Sequence, residues 1–140
     1  MTVLYNYETA FHLTDENKYT DWIARMASSE NFQINALSFI FCDDNYLLAL
    51  NEKFLNHNTL TDVITFNYTD DSGISGDVFI SIDRVYDNAK QYKVDKNEEV
   101  LRVMAHGFLH LIGYNDKTEQ DVSTMRKKED IMIKMFHVEQ

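Results

Sequence analysis

The chain opens with an alternation of apolar and polar residues from Val3 to Glu8, the period-two pattern of a strand with one buried face. Thr14 or Asp15 then offers a side-chain oxygen as a helix N-cap, and Tyr19, Trp22, Ile23 and Met26 recur behind it at helical spacing. Ile34 to Cys42 is a near-continuous apolar run of strand length. Asp43 and Asp44 follow it and predict both a cap and favourable negative charge at the start of a helix that reaches about Leu55. Two further strands, Val63 to Thr69 and Asp77 to Ile82, flank the turn-forming segment DDSGISG, which predicts a hairpin or close antiparallel neighbours. The remainder reads as helical: Asp83 to Tyr92, Asn97 to Ile112, and Thr118 to Phe136. The last of these presents Val122, Met125, Met132, Ile133 and Phe136 on its apolar side. This order predicts an α+β fold, a small mixed sheet covered by helices.

Composition narrows the picture. The 140 residues are 44% apolar, enough for one domain spanning 1–140 around a single core. Proline is missing, so turns rest on glycine, aspartate and asparagine, and no repeat or linker interrupts the chain. There is no apolar run of about 18 residues, and the start MTVLYNYETAFHL has neither a basic segment nor an apolar stretch of signal-peptide type. The expectation is a cytoplasmic protein with no membrane partner. Cys42 is the only cysteine and lies in the apolar run INALSFIFC. It excludes an intrachain disulfide and a cysteine-rich zinc module, and it reads as a buried structural thiol. The excess of 23 acidic over 13 basic residues gives a formal charge of −10, which opposes nonspecific binding of polyanions. Lys90, Lys93, Lys96, Arg102, Arg126, Lys127 and Lys128 form local basic clusters, which by themselves read as solvated helix faces.

Candidate chemistry concentrates in His106 to Asp116, HGFLHLIGYND. Positions i and i+4 of a helix share one face, about 6 Å apart along the axis, so His106 and His110 are placed to converge on one ion. Gly113 suits a helix-ending residue with positive φ, after which the chain can turn back and bring Asp116 to the imidazoles. Three protein ligands leave a coordination position open for water, as in catalytic zinc sites. Two histidines one turn apart are also the pattern of hydrogen-bonded structural imidazoles, and the spacing leaves both readings open. Gly107 stands where a zinc protease carries its catalytic glutamate, so peptide hydrolysis would lack its base. Another carboxylate or a substrate phosphate would have to handle the proton. Asp62, Asp77 and Glu129 are candidates, each equally readable as a cap, turn or surface carboxylate. A carboxylate as third ligand makes a bound water less acidic and admits iron, manganese or nickel besides zinc.

HGFLHLIGYND resembles the HGxLHLxGYDH signature of the YbeY family of bacterial rRNA-maturation metallo-endoribonucleases. Leu50-Asn51, the segment TDVITF at Thr61 to Phe66 and the segment GDVFIS at Gly76 to Ser81 resemble that family's LN, TDVLSF and GDIxIS elements, in the same order and spacing. The resemblance implies a mixed four-stranded sheet with about five helices and one Zn2+ per chain, other divalent transition metals being possible. It implies cleavage of single-stranded RNA in rRNA processing, including 16S rRNA 3′-end maturation and ribosome quality control. The implied partners are ribosomal RNA and ribosomal subunits or assembly proteins. His106 and His110 carry over as ligands; Asp116 stands where the family's third histidine stands, and Asn115 replaces the aspartate before it. Leu55 stands where the family often has an arginine after the aromatic residue that follows LN, which removes a cation for phosphate. His57 and Arg102 are the expected RNA-binding substitutes, Arg102 lying one turn before His106. Arg102 and Asp62 are the expected catalytic residues, and His106, His110 and Asp116 the metal ligands. Two rival readings are a noncatalytic, metal-stabilised ribosome-assembly factor and a metallohydrolase of peptides or small molecules.

Overall fold

The computed structural model describes residues 1–138. In chain order the elements are β1 (Thr2–Tyr7), α1 (Glu16–Ser29), β2 (Ile34–Cys42), α2 (Asp44–Leu55), β3 (Val63–Asn67), β4 (Ile74–Ser81), α3 (Ile82–Tyr92), α4 (Lys96–Leu111) and α5 (Glu119–His137). The sheet has the order β1-β2-β4-β3, with β3 antiparallel to β4 and the other pairings parallel. The expected α+β fold with a four-stranded mixed sheet and five helices is therefore present.

Side-chain alternation divides the sheet between two cores of unequal size. Leu37, Phe39 and Phe41 of β2 and Val78 and Ile80 of β4 face α1, α3, α4 and α5, and with them form the main core around Trp22, Met104 and Phe108. On the opposite face Ile64, Cys42 and Leu47 form a small core beneath α2. Trp22 Nε1 donates to the Met132 carbonyl at 2.7 Å and Arg25 Nη1 to the Met135 carbonyl at 2.6 Å, which binds α1 to α5 without leaving the buried indole N–H unpaired.

The first two helices begin at capping residues that the sequence predicts. Asp15, rather than Thr14, accepts from Lys18 N at the start of α1, and Asp43 accepts from Tyr46 N at the start of α2. Thr118 and Asp121 form a reciprocal capping box for α5. Two expectations fail. β4 begins at Ile74, inside the segment expected to be all turn, because the backbone from Ile74 to Gly76 pairs with β2, a partner more than thirty residues earlier in the chain. The tight turn is confined to Asp70–Gly73, where Asp70 N and Gly73 N each donate to the other residue's carbonyl and Gly73 has φ +131°. Val122, expected on the buried side of α5, is instead 52% exposed.

Gly107 fixes how closely α4 can lie on the sheet. A Cβ at this position would sit 2.6 Å from Val78 Cγ1 and 3.5 Å from Val63 Cγ2. Because Val78 is stiff and buried, Gly107→Ala is expected to destabilise the fold by about 1–3 kcal/mol through overpacking. Urea unfolding checks this, and an unchanged midpoint would show that α4 can move away from β3 and β4 at no cost. The same contact explains why no protease-type glutamate stands here: position 107 looks into the sheet.

Candidate metal centre

α4 starts at Asp95, whose carboxylate accepts from Asn97 N and Glu98 N, and its next face carries Glu99, Arg102, His106 and His110 at three- and four-residue spacing. His106 Nε2 and His110 Nε2 lie 2.9 Å apart. The helix ends in a Schellman arrangement: Gly113, at φ +106°, donates to the His110 carbonyl at 3.1 Å, and Tyr114 N donates to the Leu109 carbonyl at 3.0 Å. The reversal brings Asp116 Oδ2 to 3.3 Å from both Nε2 atoms. The three residues expected to act as ligands therefore meet at one point.

The hydrogen bonds on the far sides of the imidazoles show that this point fits a cation. His110 Nδ1 faces the Tyr114 carbonyl at 2.9 Å, and a carbonyl only accepts, so the proton sits on Nδ1 and the Nε2 lone pair faces inward. His106 Nδ1 lies 2.7 Å from Glu129 Oε2 and donates to that carboxylate. Two nitrogen lone pairs and a carboxylate oxygen thus converge, an arrangement that repels itself unless a positive charge lies among them. Tetrahedral zinc with bonds of about 2.0–2.1 Å puts its ligand atoms about 3.3 Å apart, close to the spacings found here. Burial by itself would lower the pKa of His106, but the bond and charge of Glu129, with Asp62 and Asp116 nearby, more than offset that and raise it above the ordinary histidine value.

Glu129 is only 5% exposed and joins two functional groups. Its second oxygen accepts from Arg102 Nη1 at 2.9 Å, while Arg102 Nη2 donates to Asp130 Oδ1 at 2.7 Å. Arg102, expected to bind RNA, lines the first cavity and pairs with two carboxylates. Sequence reasoning weighed Glu129 only as a proton-handling group; its distance from the histidines along the chain hid its contact with His106. Arg126 is the second arginine of the same region, 62% exposed on its side chain and in contact with Glu129 only at 3.7 Å.

Two open cavities flank the cluster. The first, about 490 Å³, is lined by Asn88, Tyr92, Glu99, Arg102, Val122, Arg126 and Glu129 among others. The second, about 450 Å³, is lined by Asn51, Leu55, His57, Thr59, Thr61 and Thr65 among others. Asp62, His106 and Asp116 line both. Asp62 Oδ2 accepts from Asn88 Nδ2 at 3.2 Å, and burial raises its pKa despite the opposing effect of His106. Glu99 is likewise buried, with its pKa raised chiefly by burial, although Arg102 opposes the shift. His57, the other expected RNA-binding residue, lines the second cavity together with Leu55. Asp77 lines neither cavity; it sits within β4 between Ser38 and Phe66. Cys42 is buried with its thiol pushed up to about 12, mainly by desolvation, which suits a structural role.

Sheet topology and side-chain geometry together define an α+β protein with a histidine-histidine-carboxylate cluster, able to hold a metal ion, at a helix-loop junction. The family model described as endoribonuclease YbeY matches residues 5–137. The endoribonuclease YbeY of Flavobacterium johnsoniae is 52% identical over 136 residues, covering 97% of this chain and 98% of the relative. That of Flavobacterium psychrophilum is 49% identical, with 99% of each chain covered. The solution structure of TM1509 from Thermotoga maritima, at 19% identity, superposes with a TM-score of 0.67 over 97% of this chain and 89% of the other, and so shares the fold. The chain belongs to the endoribonuclease YbeY family.

Proposed function

We propose that this chain is a metal-dependent endoribonuclease that cleaves single-stranded RNA in rRNA processing, including 16S rRNA 3′-end maturation and ribosome quality control. One observation carries the reading: three inward-facing acceptor atoms, from His106, His110 and Asp116, meet where two open cavities join. Zn2+ is the ion we assign to them, and when bound it supplies Lewis-acid polarisation of water or of a phosphoryl oxygen. Glu129 and the Tyr114 carbonyl keep both imidazoles in the tautomer that presents Nε2. Asp62, at the join of the cavities and with a carboxyl made more basic by burial, takes the proton from the attacking water and returns it to the leaving ribose oxygen.

RNA is held by groups on both sides. His57 and the threonine hydroxyls of the second cavity meet the backbone on one side, and Arg126 meets a phosphate on the other. Arg102 serves by neutralising and orienting Glu129. With a net charge of −10 and Leu55 at the family's arginine position, the chain draws much of its affinity from ribosomal subunits or assembly proteins that present the RNA to it in the cytoplasm. No described helix is long and apolar enough to cross a membrane.

The test is cleavage of single-stranded RNA and of ribosomal particles at fixed salt. Chelation is expected to abolish cleavage. Arg126→Ala is expected to raise KM about fivefold with little change in kcat, the effect of about 1 kcal/mol of phosphate binding, and Arg102→Ala to lower metal affinity as well as rate. Metal-replete protein that is inert on both substrates would move the chain to the noncatalytic assembly-factor reading.

A further inference from the structure

We propose that Glu30, at the C-cap of α1, is a positioning residue for the metal centre: with Lys128 it grips Tyr114, and through Tyr114 it holds the loop that orients His110 and carries Asp116. The proposal rests on the metal-centre reading above. Tyr114 is bound at three points. Its N–H donates to the Leu109 carbonyl, its own carbonyl accepts from His110 Nδ1 at 2.9 Å, and its hydroxyl donates to Glu30 Oε1 at 2.7 Å. The other carboxylate oxygen of Glu30 accepts from Lys128 Nζ at 2.8 Å, and the same ammonium stands 5.5 Å from the Tyr114 ring centroid. Elements 84 and 98 residues from Glu30 along the chain are thereby brought onto one carboxylate.

The clamp matters because Asp116 has little else to place it. Its side chain is 46% exposed, and among the contacts of the described residues its carboxylate meets only the two imidazoles. Its position therefore follows from the backbone between Gly113 and the capping residue Thr118. A Cβ built at Gly113 would meet nothing within 4 Å, so no side-chain packing at that position restrains the loop. The side chain of Tyr114 does. Docking α1 against α5 does not need Glu30, because Trp22 and Arg25 already donate to α5 carbonyls. What Glu30 adds is the hold on Tyr114, and Tyr114 in turn supplies the acceptor that fixes the His110 tautomer.

The full chain is titrated with Zn2+ and, separately, Co2+, comparing wild type with Tyr114→Phe, Glu30→Ala, Glu30→Gln and the Glu30→Ala/Tyr114→Phe double variant. Tyr114→Phe deletes one hydroxyl and keeps the ring against the core. It is expected to weaken metal binding about tenfold, the lower end of the effect of outer-shell partners, and to shift the visible absorption of the Co2+ form. Glu30→Ala is expected to weaken binding as much, and the double variant no further, since both changes break the same contact. Glu30→Gln, which still offers an acceptor to the hydroxyl, is expected to recover part of the loss. A purely structural tie would lower the unfolding midpoint but leave affinity and Co2+ spectrum as in wild type, and that result would overturn the clamp alone. Wild-type protein that binds neither ion would overturn the metal-centre reading and the clamp with it.

Discussion

His106→Ala and His110→Ala chains should fold, lose the ion and lose RNA cleavage together. Each substitution removes one of the three proposed ligands, so the loss in affinity should exceed the about 10–100-fold typical of removing an outer-shell partner. Folding should survive because the imidazoles are part-buried at the helix surface, whereas the main core of α4 is built from Leu101, Met104, Ala105 and Phe108. Metal analysis after dialysis, with circular dichroism as the check on folding, measures the effect. Full occupancy in both variants would sink the assignment. Asp116→His should keep the ion, because an imidazole at that place restores the third donor found in the family signature.

Glu129→Ala should be the most damaging change outside the ligands. The carboxylate is buried, and its loss leaves Arg102 Nη1 and His106 Nδ1 without their acceptor. Breaking a buried pair from one side costs about 3–5 kcal/mol; retention of Asp130 by Arg102 places the expectation near the lower end. His106 would also be free to take the other tautomer, so metal binding should weaken even where folding is rescued by low temperature. Glu129→Gln separates the two effects. It preserves volume and one acceptor, so most of the stability should return while metal affinity stays reduced. Urea unfolding and Zn2+ competition on the same samples check this, and a Glu129→Gln chain with wild-type affinity would show that the carboxylate's charge does not tune His106.

Legibility from sequence followed the range of the interactions involved. The His106, His110 and Asp116 cluster was readable because all three lie within eleven residues, joined by a helix and a glycine-ended turn whose geometry is local. Helix starts were readable for the same reason, since Asp15, Asp43 and Thr118 cap the residues that follow them. The register of Ile74 to Gly76 on β2 was not, because turn-like composition says nothing of a distant strand that needs a partner. The contacts of Glu129, Arg126 and Glu30 were hidden for a related reason, although Glu129 was legible as a candidate for handling a proton. They reach the metal loop or its cavities from α5 and from the end of α1, and only tertiary packing brings them there. Arg102 illustrates the converse limit: its placement on the His106 side of α4 was legible, but its partners Glu129 and Asp130 were not.

The two cavities that meet at Asp62, His106 and Asp116 have a consequence for how an RNA strand can be addressed. A dead-end pocket measures from a terminus; it admits one end of a polymer and stops it at a wall. Here the reacting phosphate would lie at a saddle with space before and behind it, so the strand runs across the site and neither terminus is read. Where the cut falls would then be decided by which stretch of RNA is unpaired and held between the two cavities.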